Sequence, residues 1–144
     1  MANEITLKEL FDTGGFLGQG WAFPPTFTRG TDTVKLVKAE EDIKQSLVIL
    51  LSTTLGERVM RSDYGANLFQ QVFEPMDAAF QSYVSSIIND AITNYETRIN
   101  LDSVDVSFDN EEGRIELTIN YTIISSNSRA NIVYPYYLNE GTNL

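Results

Sequence analysis

An α+β fold follows from three features of the sequence: two stretches with apolar residues at helical spacing, a C-terminal third in which apolar and polar residues alternate, and an aromatic, Gly/Pro-rich segment ahead of both. Two main helices are expected to pack on a three- to four-stranded antiparallel sheet, with the extended aromatic segment wrapped over it. At 144 residues and 42% hydrophobic content, the chain can bury a core as one domain.

Residues 1–15 read as a loosely held arm in which Leu7, Leu10 and Phe11 fall at helical spacing, and residues 16–144 as a single domain. The segment from Phe16 to Phe27 holds Trp21, Phe23, Pro24 and Pro25 and has no period. Its prolines favour an extended path. Trp21, Phe23 and Phe27 are expected to cap the core, with an aromatic contact surface for a partner as the alternative. Thr31, Asp32 and Thr33 offer N-caps for a helix from Val34 to about Thr53, whose apolar stripe is Leu36, Ala39, Ile43, Leu47 and Leu50/Leu51. Gly56 is its expected C-cap.

The stretch Gly56-Glu57-Arg58-Val59-Met60-Arg61-Ser62-Asp63-Tyr64-Gly65 carries the densest special chemistry. Read as a short strand, it puts Glu57, Val59 and Arg61 on one face and Arg58, Met60 and Ser62 on the other. Charge on both faces suits a sheet edge or a contact surface. Pairing of Glu57 with Arg61, or of Arg58 with Asp63, would hold it structurally. Pro75 marks a stop before a second helix, N-capped by Asp77, with Phe80, Val84, Ile87/Ile88, Ala91 and Tyr95 as its buried stripe. That helix should end near residues 97–100.

Val104, Val106 and Phe108, then Ile115, Leu117, Ile119, Tyr121 and Ile123, alternate with polar residues on either side of Asp109-Asn110-Glu111-Glu112-Gly113. This predicts an antiparallel hairpin. Residues 132–138 read as a further strand, which Pro135 confines to an edge or a bulge.

Composition removes several chemistries. There is no cysteine and no histidine, so a disulfide framework, a thiolate zinc site and a Ser-His-Asp triad are excluded. The net charge of −10 disfavours nucleic acid and favours basic partner surfaces. No apolar run is long enough to span a bilayer, and residues 1–6 lack the basic and apolar regions of a secretory signal. A cytoplasmic protein, or one that assembles there, is the expectation. Asp102, Asp105 and Asp109 lack the spacing of a calcium loop, and no glycine loop fits a phosphate, so neither metal nor cofactor is expected. An enzyme would have to run on Glu57, Asp63 and Glu74, as a carboxylate-based glycoside hydrolase does. An acidic immunity or inhibitor protein is a further alternative, although the carboxylates are scattered rather than clustered.

The order Gly18-x-Gly20-Trp21-x-Phe23-Pro24, a helix, Gly56-Glu57-Arg58 to Tyr64-Gly65, then Phe73-Glu74-Pro75 before a second helix and a hairpin resembles the gene W/gene-25-like baseplate wedge proteins of contractile tails. That family includes TssE of type VI secretion. The resemblance spans roughly residues 16–125. It implies a structural subunit, not an enzyme, of a phage tail, a type VI secretion machine or a related injection particle. It also implies binding to neighbouring wedge subunits and a small sheet that sheath protein joins by strand exchange. The family's Glu-Pro-Arg motif, which contacts the wedge core, maps to Glu74 and Pro75, with Met76 where the arginine would stand. The expected partner-binding residues are therefore Glu74, Pro75, Glu57, Arg58, Arg61 and Asp63, with Thr118 and Asn120 on the exposed face of the hairpin. The isolated chain is expected to be a monomer or to self-associate weakly through an unfilled sheet edge.

Overall fold

The computed structural model describes residues 17–30, 33–66, 68, 77–109 and 111–137. The fold is mixed α+β: two helices with antiparallel sheets. It divides into two compact units, one up to Leu47 and one from Val48 onward. The predicted arm at residues 1–15 and the N-cap candidates Thr31 and Asp32 lie outside the described residues.

In the first unit the aromatic segment is not simply extended. It forms a nested hairpin in which β1 (Gln19–Trp21) pairs with β4 (Leu36–Lys38) and β2 (Phe27–Thr28) with β3 (Thr33–Val34). The hydrogen bonds Ala22 N to Lys35 O (2.9 Å) and Lys35 N to Thr26 O (3.0 Å) join the two ladders. Gly20 leaves room at its α-carbon for the Asp42 carboxylate, which sits where a Cβ would go. The expectation that Trp21, Phe23 and Phe27 cap the core is not met: they are 65%, 50% and 71% exposed. A two-stranded ribbon has two faces, and among these three no side chain is turned into a core.

The first helix is shorter than its apolar period suggests. Val34 and Leu36 sit in strands, because opposite Phe27 and Trp21 their backbone groups are used by a ladder. The chain turns at Ala39, with φ +53°, into α1 (Ala39–Ser52). Ile43, Leu47, Leu50 and Leu51 are buried along it, as their spacing predicts.

In the second unit α2 (Ala78–Tyr95) begins where Asp77 accepts a hydrogen bond from Phe80 N at 2.9 Å, the predicted N-cap. Phe80, Val84, Ile88, Ala91 and Ile92 are buried. The sheet order is β5-β6-β7, all antiparallel: β5 (Ile99–Asp109), β6 (Arg114–Ile123) and β7 (Ser128–Tyr137). The central strand β6 alternates buried Ile115, Leu117, Ile119, Tyr121 and Ile123 with half-buried polar residues. α2 lies over the apolar face: Phe80 and Val84 share a small apolar space with Ile115, Leu117, Tyr136 and Leu68. The Phe80 and Phe108 rings are 6.2 Å apart. Pro135 is accommodated because β7 is an edge strand of this sheet.

Candidate functional site: a pinned loop and a sheet edge

The stretch from Gly56 to Gly65 is a series of turns, not a strand, so its side chains do not divide between two faces. α1 ends at Ser52, where Thr53 donates through both its N–H (3.1 Å) and its Oγ1 (2.6 Å) to the Ile49 carbonyl. Gly56 is not the helix C-cap. At φ +84° it lies in the following turn, and its N–H closes the loop onto Ser62 O at 2.9 Å. The far end returns to the helix: Ala66 N donates to Thr53 O at 3.0 Å. Gly65, at φ +125°, packs its α-carbon against that same carbonyl. A Cβ there would meet backbone, so this position needs glycine twice over.

The charged residues pair differently from either expectation. Glu57 reaches back to accept the Thr54 N–H at 2.9 Å. The Arg61 guanidinium lies 3.4 Å from Asp63 and 5.6 Å from the Tyr95 ring centre. Arg58 lies over the Tyr64 ring, 4.5 Å from its centre. Tyr64 in turn meets Tyr95 edge-on at 5.0 Å. The Tyr95 hydroxyl, carried on the last turn of α2, is 2.7 Å from Asp63 Oδ2 and 2.8 Å from Asp63 O. The structure thus brings Arg58, Arg61 and Asp63 together on a tyrosine pair. The fully exposed tip, Val59 at 86% and Met60 at 95%, projects from a loop tied at both ends. Tyr95 was legible as an end of the apolar stripe; the use of its hydroxyl was not, since nothing local in sequence names a partner 32 residues away.

The electrostatics suit a carboxylate that stays ionised. Chiefly the Tyr95 hydrogen bond, with help from the backbone of Asp63 itself and from Arg61, holds the Asp63 carboxyl below the usual range. A general acid requires the opposite. The Tyr95 hydroxyl is correspondingly pushed up, first by its bond to Asp63. Burial pushes Tyr64 up, against the pull of Arg58. Among the described residues no three acidic side chains form a group that could hold a metal ion.

Thr118 and Asn120 lie on the polar face of β6 and are half-buried rather than exposed. Asn120 donates to Ser103 Oγ (2.9 Å) and Asp105 Oδ2 (3.3 Å). Their strand is paired on both sides, so its backbone is not an edge. The edges are β5 and β7. β5 is interrupted by a bulge between Leu101 and Ser103 and carries Asp102, Asp105 and Asp109. β7 runs ten residues with Arg129 as its one charge. Glu74 and Pro75 lie outside the described residues, as does Met76.

Among solved structures, the chain is similar to a candidate tail lysozyme from Geobacter sulfurreducens, with 39% identity and a TM-score of 0.68, covering 76% of this chain and all of that one. It is also similar to a component of the anti-feeding prophage baseplate, with 28% identity and a TM-score of 0.66, covering 90% and 93% of the two chains. A component of the postcontraction pyocin R2 baseplate matches at 27% identity and a TM-score of 0.55, over 69% and 97%. Baseplate protein W of Escherichia phage P2 is 36% identical over 81 residues, 55% of this chain and 68% of that protein. The family model described as "Baseplate wedge protein gp25" matches residues 37–128, well over half the chain. This chain belongs to the baseplate wedge protein gp25 family, structural components of contractile tails.

Proposed function

We propose that the chain is a non-enzymatic wedge subunit of a contractile-tail baseplate that binds neighbouring wedge subunits and nucleates the sheath by β-strand augmentation. The observation that carries this reading is the contrast between the two edges of the sheet. A bulge and inward or flanking charges protect an edge from foreign strands. β5 has both; β7 pairs with β6 without a bulge and carries a single charge, Arg129, near its start. Pro135 has no N–H to donate, so in a regular ladder the odd-numbered positions of β7 direct their N–H groups away from β6. Asn131 and Val133 would then offer main-chain bonds to an added strand.

The pinned loop with Glu57, Arg58, Arg61 and Asp63 serves as a wedge contact, presenting Val59 and Met60 on a preorganised frame. Low conformational freedom before binding lowers the entropic cost of the contact. Glu74 and Pro75 are assigned to the wedge core by resemblance to the family motif. Thr118 and Asn120 face the incoming sheath from the polar side of the sheet, where a lysine at either position should block sheath nucleation. Assembly takes place in the bacterial cytoplasm or within the particle. Co-expression of the tagged chain with its neighbouring genes tests the reading: wedge subunits and sheath protein are expected to co-purify, and recovery of the chain alone contradicts it.

A lysozyme-like glycosidase is the second reading, favoured only by the description of the Geobacter relative. The depressed Asp63 is unsuited to the general-acid role, which that reading would have to give to another carboxylate. Peptidoglycan cleavage that disappears in Glu57→Gln would establish it.

A further inference from the structure

We infer that the N-terminal hairpin is a second docking surface, for an acidic, apolar-centred face on a neighbouring baseplate protein. The inference rests on the wedge reading and extends it to a part of the chain that the loop and the sheet edge do not use. In the first ladder Trp21 stands opposite Leu36, and in the second Phe27 stands opposite Val34. Val34 and Leu36 are two residues apart on one continuous strand path, held by the Ala22–Lys35 and Lys35–Thr26 hydrogen bonds on either side of Lys35. Residues two apart along an extended chain share a face. Phe27, Val34, Leu36 and Trp21 therefore form one apolar row, and Lys38 continues it on the same face.

The row is open. Phe27, Trp21 and Leu36 are 71%, 65% and 45% exposed, and Val34 is half-buried. Phe23, also half exposed, is held beside the ribbon by its N–H to Gln45 Oε1 at 2.8 Å. Scattered apolar residues on a surface need no explanation, but a contiguous aromatic row does. Aromatic side chains anchor interfaces, and a short ribbon with paired strands presents them without a large ordering cost.

Charge selects the occupant. Residues 17–38 hold Arg29, Lys35 and Lys38 against the single acid Asp32, in a chain whose net charge is −10. Arg29, Lys35 and Lys38 are all exposed. Lys38 continues the row at one end and Arg29 stands two residues beyond Phe27 at the other, whereas Lys35 falls on the opposite face. Complementarity requires apolar sockets ringed by carboxylates on the partner. A second copy of this chain offers a poor match, because the outward face of its sheet is polar, with Thr118, Asn120 and Thr122 along its centre.

A photo-crosslinking phenylalanine analogue at position 27, in the full chain co-expressed with its neighbouring baseplate genes, tests this directly. The expected result is a crosslink mapped by mass spectrometry to an Asp/Glu-rich segment of another baseplate subunit, lost when Arg29→Glu and Lys38→Glu are introduced together. A crosslink to residues 1–16 of the same chain, to a second copy, or to nothing while baseplate neighbours still co-purify overturns the hairpin inference and leaves the wedge reading standing. Failure of the parent chain to co-purify with any baseplate subunit overturns both.

Discussion

The Tyr95 hydroxyl sits between two oxygens of Asp63, 2.7 Å from the side chain and 2.8 Å from the carbonyl, and so ties the end of α2 to the loop that follows α1. The tie has a pH signature. The Asp63 carboxyl is depressed, first by this hydrogen bond, so its contribution is present above the unfolded carboxylate value and is lost as pH falls through the lower, folded one. The Tyr95 hydroxyl is raised, so its contribution persists up to the ordinary tyrosine range and is lost only as pH rises beyond it. Protection of the Tyr64 and Ala66 amides against exchange, relative to the intrinsic rate at each pH, should therefore fall in acid below the carboxylate range and hold through neutral pH. Tyr95→Phe should shrink that acid step, since its hydrogen bond is the largest of the causes that lower Asp63. An undiminished step would assign it elsewhere.

Gly65→Ala should be among the most damaging single changes. The position combines φ +125° with an approach of Thr53 O to where a Cβ would stand. Strain at positive φ and a backbone clash together predict a loss of about 2–4 kcal/mol. Urea unfolding measures it. A loss under about 1 kcal/mol would mean that the loop shifts freely and is not pinned as described.

Glu96 is the one buried charged residue among the described residues, at 3% exposure. Arg98 meets it in a fork, with two 2.7 Å contacts, and its side chain lies 28% exposed in the turn just before β5. Removing one partner of a buried pair leaves an uncompensated charge. Glu96→Ala should cost about 3 kcal/mol, the low end for such pairs because Arg98 can reach water. Glu96→Gln keeps an acceptor and should cost less. Equal losses in the two variants would assign the effect to packing.

Glu74→Ala should weaken co-purification with wedge subunits while leaving the melting temperature unchanged. This follows from the family motif, with Met76 in place of the arginine. Undiminished recovery of the partners would remove Glu74 from the contact.

The hairpin of β5 and β6, the Asp77 cap and the stripe of α2 were legible because each depends on local period or local hydrogen bonding. The start of α1 was not. Val34 and Leu36 satisfy a helical period equally well, and only their pairing with Phe27 and Trp21 decides for strand. In the loop, the sequence marked Glu57, Arg58, Arg61 and Asp63 as charged groups to be paired, but not their partners. Arg58 and Arg61 settle on tyrosine rings, one of which arrives from the end of the other helix. Exposure of Trp21 and Phe27 ran against the usual burial of aromatics, because a two-stranded ribbon leaves a face uncovered.

β7 is proposed as the strand on which the sheath starts. Val133→Pro removes an outward N–H while leaving the bonds to β6, so it separates augmentation from folding. Its circular dichroism should match that of the parent. In the co-expressed baseplate, wedge subunits should still be recovered, and sheath protein should no longer be recruited or polymerise. Normal sheath assembly on a folded Val133→Pro baseplate would contradict the account.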